Sequence, residues 1–218
     1  MKYVTKQAEP AMFAEWKAKA NEEWQPSYEA LQNPEKRVLH TALLIEQGSV
    51  CCYCGRTISL ADSHIEHFRP QESHEDLALD YRNLHASCIR ETNPGTPLHC
   101  GHAKGSGFDE KRIISPLGDG CERRFIYSSR DGAIYPTDKA DEAAGYMISL
   151  LKLDVSFLNE RRAEVLKNVY DDEFLVSASE EELAQLARAF RAPDEAGRLT
   201  NFGHVLSRYA EQLLNHPV

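Results

Sequence analysis

The chain lacks any apolar run long enough to cross a bilayer, and its opening residues, Met-Lys-Tyr-Val-Thr-Lys-Gln, lack the apolar stretch of an export signal. Insertion in a membrane and secretion are therefore not indicated, and a cytoplasmic protein is expected. No repeat, low-complexity tract or sharp linker interrupts the 218 residues, so solenoid and tethered-module organisations are not expected either. Positive charge is also short: 25 Lys and Arg stand against 34 Asp and Glu, a net charge of −9. That balance argues against a protein that grips a long duplex unaided, because phosphate contacts need cations. The acidity is uneven. Residues 132–218 hold 9 basic and 15 acidic side chains, whereas residues 51–131 hold 10 and 12, so a local groove or a partner must supply most of any affinity for a polyanion.

What is present is a 42% hydrophobic composition, enough for a real core, and a dense cluster of metal-ligating residues. Five of the six cysteines and six of the nine histidines fall between Cys51 and His102. In a reducing compartment clustered cysteines are better explained by metal than by disulfides.

In chain order, Phe13, Trp16, Ala20 and Trp24 recur at helical spacing and predict a helix over 10–24, broken by Gln25-Pro26. A second helix is expected from about Pro34, through Val38, Ala42 and Ile45, to a stop at Gly48. From Ser49 to Pro70 short β segments take over, with Cys51 and Cys54 on a knuckle that leads into a hairpin. On that strand His64 and Glu66 share one face and His67 takes the other, by the two-residue alternation of strands. Residues 89–98 read as a Pro- and Gly-containing insertion, and Cys100 to Gly105 as the last helix of the site. Arg123 to Pro136 reads as a second hairpin around Asp131-Gly132. Four segments then carry helical apolar spacing or helix signals: Ala140 to Leu151, Leu158 to Val169, a helix opened by the Ser179/Glu182 capping box, and Phe202 to Leu213. The fold class expected is α+β, arranged as an N-terminal helical scaffold (1–48), a metal-binding module with its trailing hairpin (49–136), and a C-terminal helical region (137–218).

Cys51-x-x-Cys54 with Cys88 and Cys100 suits a structural zinc site, in which thiolates from separate segments staple a motif with little core of its own. His99 or Cys52 could stand in for one of the second pair. Glu66-His67 is of a different kind. Phosphodiester hydrolysis needs a base to deprotonate water and a cation to stabilise charge on phosphorus and the leaving oxygen. A neutral imidazole suits the first role and a carboxylate the second. Arg69, Lys104, Lys111 and Arg112 are basic side chains that could meet phosphate, with Arg69 and Lys104 the candidates for nucleic-acid contact.

Taken in order, Cys51-x-x-Cys54-Gly55, Ile65-Glu66-His67-x-x-Pro70, Asn83-Leu84, Cys88, Cys100 and His102 resemble the ββα-metal (His-Me finger) motif of HNH endonucleases. Within that group the segments Cys-Cys-Tyr-Cys-Gly-Arg, Ile-Glu-His-Phe-Arg-Pro, Asn-Leu-His-Ala-Ser-Cys, Cys-Gly-His-Ala-Lys-Gly and Ile-Ser-Pro-Leu resemble the HNH subunit that accompanies an ATPase in Septu and retron anti-phage systems. The resemblance is strongest over 40–136. It implies that His67 is the general base, Glu66 a ligand of a catalytic Mg²⁺ or Mn²⁺, Asn83 the residue that orients the base or its loop, and His102 a second ligand, with the four cysteines on Zn²⁺. The sequence departs from the family at Gly101, which follows Cys100 where a histidine is common, and His64 is the alternative ligand. The implied partners are an ABC/AAA-like ATPase and a nucleic acid, DNA before RNA. The contrasting expectation is a zinc-stabilised adaptor without catalytic activity.

Overall fold

The computed structural model describes residues 1–215. Its N-terminal part carries two helices, α1 (Ala11–Lys17) and α2 (Glu35–Glu46). α1 is shorter than its apolar spacing predicts. The Asn21 side chain accepts the backbone N–H groups of Glu23 and Trp24 at 2.9 Å each, which folds the chain into a turn. Trp24 still reaches the core by packing edge-on against Trp16, ring centroids 5.5 Å apart. α2 begins after Pro34 and stops where Gly48 turns to a φ of +62°.

The centre of the molecule is a two-stranded antiparallel sheet, β1 (Ser63–His67) against β2 (Leu84–Cys88), with His64 opposite Ser87 and Glu66 opposite His85. α2 is pinned to this hairpin by polar contacts. His40 meets Ser63 Oγ through Nε2 at 2.9 Å. Gln47 acts as a surrogate strand: its amide donates to Ala86 O and accepts from Ala86 N, at 2.9 and 2.8 Å. Glu46 takes the ammonium of Lys6 at 2.6 Å and the hydroxyl of Tyr81 at 2.7 Å. The single-turn helix α3 (Gly101–Lys104) follows, so the order of elements is strand, strand, helix.

A second hairpin, β3 (Phe125–Tyr127) with β4 (Ile134–Pro136), leads into α4 (Glu142–Leu150), α5 (Ser156–Val169), α6 (Asp172–Ser177), α7 (Glu180–Ala189) and α8 (Gly203–Asn215). The Ser179/Glu182 capping box is formed in full at the start of α7. α6 has no counterpart in the expected helices; Asp171 caps it through the Phe174 N–H. Gln212 of α8 bonds both Tyr127 N and Tyr127 O at 2.9 Å, closing the free edge of β3. Leu39 and Leu43 of α2, Leu84 and Ala86 of β2, Phe125 of β3, and Val205 and Leu206 of α8 belong to one continuous apolar core. No helix among the described residues is long and apolar enough to cross a membrane.

Candidate active site and metal centre

The Sγ atoms of Cys51, Cys54, Cys88 and Cys100 all lie within 4.8 Å of one another and are buried. Cys54 and Cys88 are 3.8 Å apart, far beyond a disulfide bond, and six free thiols are present among the described residues. A tetrahedral zinc with bonds of about 2.3 Å has a sulfur-to-sulfur edge of about 3.8 Å, so the donor set fits that ion in chemistry and the Cys54–Cys88 edge matches it in length. The Cys88 backbone N–H also donates to Cys51 Sγ at 3.4 Å, a bond that favours a thiolate there. Burial pushes the Cys100 thiol up, as expected of a thiol set that needs a cation to ionise together. His99 Nδ1 lies 3.2 Å from Cys100 Sγ and 3.5 Å from Cys88 Sγ, at the rim of the cluster. Cys52 is outside the four-sulfur group.

Strand alternation places Glu66 and His64 on the face of β1 that meets α3. Glu66 is only 6% exposed. Its Oε1 accepts from Tyr53 OH at 3.0 Å and pairs with Lys104 Nζ at 2.9 Å, while Oε2 lies 3.3 Å from His64 Nε2. Burial alone would raise the Glu66 carboxyl; the hydrogen bond to His64 and the Lys104 charge outweigh it and hold the group below the usual carboxylate range. His64 Nδ1 sits 2.6 Å from Ile89 O. A carbonyl only accepts, so Nδ1 carries the proton, and a neutral ring would turn the Nε2 lone pair toward a carboxylate oxygen. Two acceptors facing one another call for a proton or a metal cation between them. Burial lowers the His64 pKa, but the Glu66 carboxylate overrides this and raises it.

His67 points to the opposite side of β1. Its Nε2 lies 3.0 Å from Ala78 O, and its ring packs edge-on against Tyr28, centroids 4.4 Å apart. The Ala78 carbonyl again fixes the tautomer: Nε2 donates and Nδ1 keeps a free lone pair. Burial holds the His67 pKa below the ordinary imidazole value. Asn83 braces the loop that delivers this carbonyl. Its amide accepts from Arg69 N at 2.7 Å and donates to Arg69 O at 3.0 Å and Leu77 O at 3.1 Å.

The remaining expected site residues are spread around this hairpin. The His102 ring lies 4.4 Å from that of His64, and its Nε2 shares the Ile89 carbonyl at 3.0 Å. Among the described residues, however, the four cysteines are the one group of three or more such donors close enough to share an ion; His64 and Glu66 form a pair beside it. Lys104, 4% exposed, is turned inward onto Glu66 and the His67 carbonyl, 2.9 Å away. Arg69 is paired with Glu110. Lys111 is exposed, and Arg112 pairs with Asp109 at 2.7 Å. Two residues inside the motif segments are given no role by the sequence. Tyr53 lies between the cysteines of the knuckle, where only the hairpin's approach brings it to Glu66. His85, opposite Glu66, is fully buried with neither ring nitrogen partnered.

No family model matches the chain. It is 28% identical over 143 residues, 62% of its own length and 67% of the relative's, to the protein named "Retron Vc95 putative HNH endonuclease" of Vibrio cholerae serotype O1 biovar El Tor. The motif order from Cys51 to His102 and this match agree in pointing to the same kind of protein: the chain is similar to a putative HNH endonuclease of a retron.

Proposed function

We propose that the protein is a metal-dependent HNH endonuclease of the ββα-metal kind, hydrolysing phosphodiester bonds of nucleic acid, with DNA the favoured substrate and RNA the alternative. The observation that carries this reading is the opposed placement of Glu66 and His67 on β1. One side brings a carboxylate and an imidazole into a contact that a proton or a metal cation must bridge, and the other holds an imidazole with its basic nitrogen free. In this reading β1, β2 and α3 form the ββα unit, and residues 1–48 and 137–218 flank the nuclease module of 49–136.

His67 Nδ1 takes the proton of the attacking water. Ala78 holds the ring in the required tautomer, and Asn83 holds the loop that carries Ala78. Glu66 Oε2 and His64 Nε2 would hold a divalent ion such as Mg²⁺ or Mn²⁺, with His102 beside them as a further candidate ligand. When bound, the ion supplies charge stabilisation to the phosphorane and the leaving oxygen. Lys104 and Tyr53 occupy the other carboxylate oxygen and so hold Glu66 in one orientation. The cysteines would hold a structural Zn²⁺ that takes no part in the chemistry.

The retron context of the relative and the acidic C-terminal helices support a role as effector subunit of an anti-phage complex with an ABC/AAA-like ATPase docked on 137–218. One observation favours the contrasting reading of an inactive zinc-stabilised adaptor: the Lys104 ammonium already neutralises Glu66.

His67→Ala is the decisive variant. Assayed on DNA and RNA with Mg²⁺ or Mn²⁺, with and without the genomic neighbour, it is expected to lower cleavage about 10²–10⁴-fold while zinc content and melting stay unchanged. Cleavage equal to wild type would overturn the assignment, and an enzyme that never takes up a second, exchangeable divalent ion would favour the adaptor.

A further inference from the structure

A cleft of about 560 Å³ opens between the start of α2 and β1. Lys36 and Arg37 of α2 line it together with Arg90, His40 and His64, and no carboxylate is present among the described residues that line it. For a chain with 34 acidic and 25 basic side chains this is a pronounced sorting of charge. The neighbouring cleft on the other side of Tyr28 shows the reverse, with Glu29, Glu72, Glu75 and Asp76 in its wall. The cations of the first cleft are also uncommitted. Among the described residues Lys36 and Arg37 have no carboxylate within 4.0 Å, and Lys36 Nζ rests over the Tyr28 ring, 4.9 Å from its centroid. Arg90 is steadied by Leu60 O at 2.8 Å, a contact that leaves its charge unneutralised; its ion pair with Glu91, at 3.8 Å, is largely in solvent.

The position of the cleft matters as much as its charge. Ser63, His64 and Ile65 form its β1 wall, so it touches the Glu66–His64 pair at one side. At the other it is bounded by Tyr28, against which His67 packs. A backbone lying in it would run beside His64 and against Tyr28, next to both parts of the proposed catalytic apparatus.

We propose that this cleft seats the sugar-phosphate backbone of the nucleic-acid substrate, with Lys36, Arg37 and Arg90 as its phosphate contacts. The proposal rests on the nuclease reading and assigns the substrate groove to the N-terminal helix rather than to Arg69 and Lys104, both of which are engaged within the protein. It also answers how so acidic a chain can hold a polyanion: the positive potential is local.

The test uses the full chain in a His67→Ala background, so that binding is read without cutting, with fluorescently labelled single- and double-stranded oligonucleotides across a salt series. The triple variant Lys36→Glu, Arg37→Glu, Arg90→Glu is expected to bind at least about tenfold more weakly, and to flatten the slope of log K against log salt by about two to three. A control with the same change of charge at exposed sites elsewhere, Arg161→Glu, Lys167→Glu, Arg198→Glu, is expected to change affinity less than about twofold once screening is allowed for. Matched melting temperatures show that both variants fold. Equal losses in the two triples, no loss in the first, or no oligonucleotide binding by the parent chain would each overturn the cleft assignment. The nuclease reading fails separately, if a chain with His67 replaced by alanine cuts as well as wild type.

Discussion

Gly101 is packed against the Glu66 carboxylate so closely that a methyl group at position 101 would overlap Oε2 and come within 2.7 Å of His64 Nε2. The glycine that departs from the common family pattern thus has a steric reason: the space a side chain would fill is taken by the carboxylate and imidazole of β1. Gly101→Ala is expected to push Glu66 and His64 apart, to weaken binding of the proposed catalytic divalent ion at least about tenfold, and to cost about 1–3 kcal/mol of stability from overpacking. Titration with Mn²⁺ and urea unfolding read the two effects; an unchanged Mn²⁺ affinity would count against the pair as ligands.

The four-sulfur cluster predicts a sharp division among the cysteines. Cys88→Ser is expected to abolish the bound zinc and to lower stability by more than about 4 kcal/mol, the range that loss of a structural metal reaches. Cys52→Ser and Cys121→Ser lie outside the cluster and should retain one zinc per chain. Elemental analysis of the three purified proteins decides it. A strong chelator should likewise lower the melting temperature of wild type, since binding energy at such a site is folding energy.

Asn83 tests how the proposed base, His67, is positioned. Asn83→Ala removes the bonds to Arg69 and Leu77 that hold the loop beneath His67. A fall of about 10²-fold in kcat is expected, the usual penalty for a misplaced catalytic group, with about 1–3 kcal/mol of stability lost. A variant that lost stability but kept kcat would show the residue to be structural alone.

A pH dependence of stability follows from Asp141, which caps α4 through the Ala144 N–H and pairs with Arg124. The Arg124 guanidinium beside it holds the Asp141 carboxyl below the usual carboxylate range. Because the folded pKa lies below the unfolded value of about 3.9, the stabilisation is complete above that value and is lost as pH falls through the folded pKa. Asp141→Asn keeps the cap and removes the charge. It is expected to cost about 0.5 kcal/mol at pH 7, given the exposure of Arg124, and the difference from wild type should close as the pH drops below about 4. Urea midpoints measured at both pH values check it.

Much of the site is legible in the sequence because its chemistry depends on short spacings. The two-residue period of a strand puts His64 and Glu66 on one face and His67 on the other, and the structure keeps that division. Cys51-x-x-Cys54 marks a knuckle for the same local reason. What escapes is whatever depends on distant approach. Tyr53 reaches Glu66 only once the knuckle has folded back on β1, and Lys104, a plausible surface cation by sequence, is turned inward by the carboxylate it neutralises. Lys36 and Arg37 sit on what reads as scaffold, and only the docking of α2 on the hairpin brings them beside His64. The end of α1 was hidden because the Asn21 turn lies within an unbroken apolar period.

The packing of His204 against the knuckle carries this further. Gly55, at a φ of +73°, leaves no room for a methyl group beside the His204 ring, and the Phe202 N–H donates to Gly55 O at 2.9 Å. The cysteine loop and the start of the last helix therefore hold one another in place. A protein that pulled on α8 would be pulling on the cysteine loop, and through it on the strand that bears Glu66.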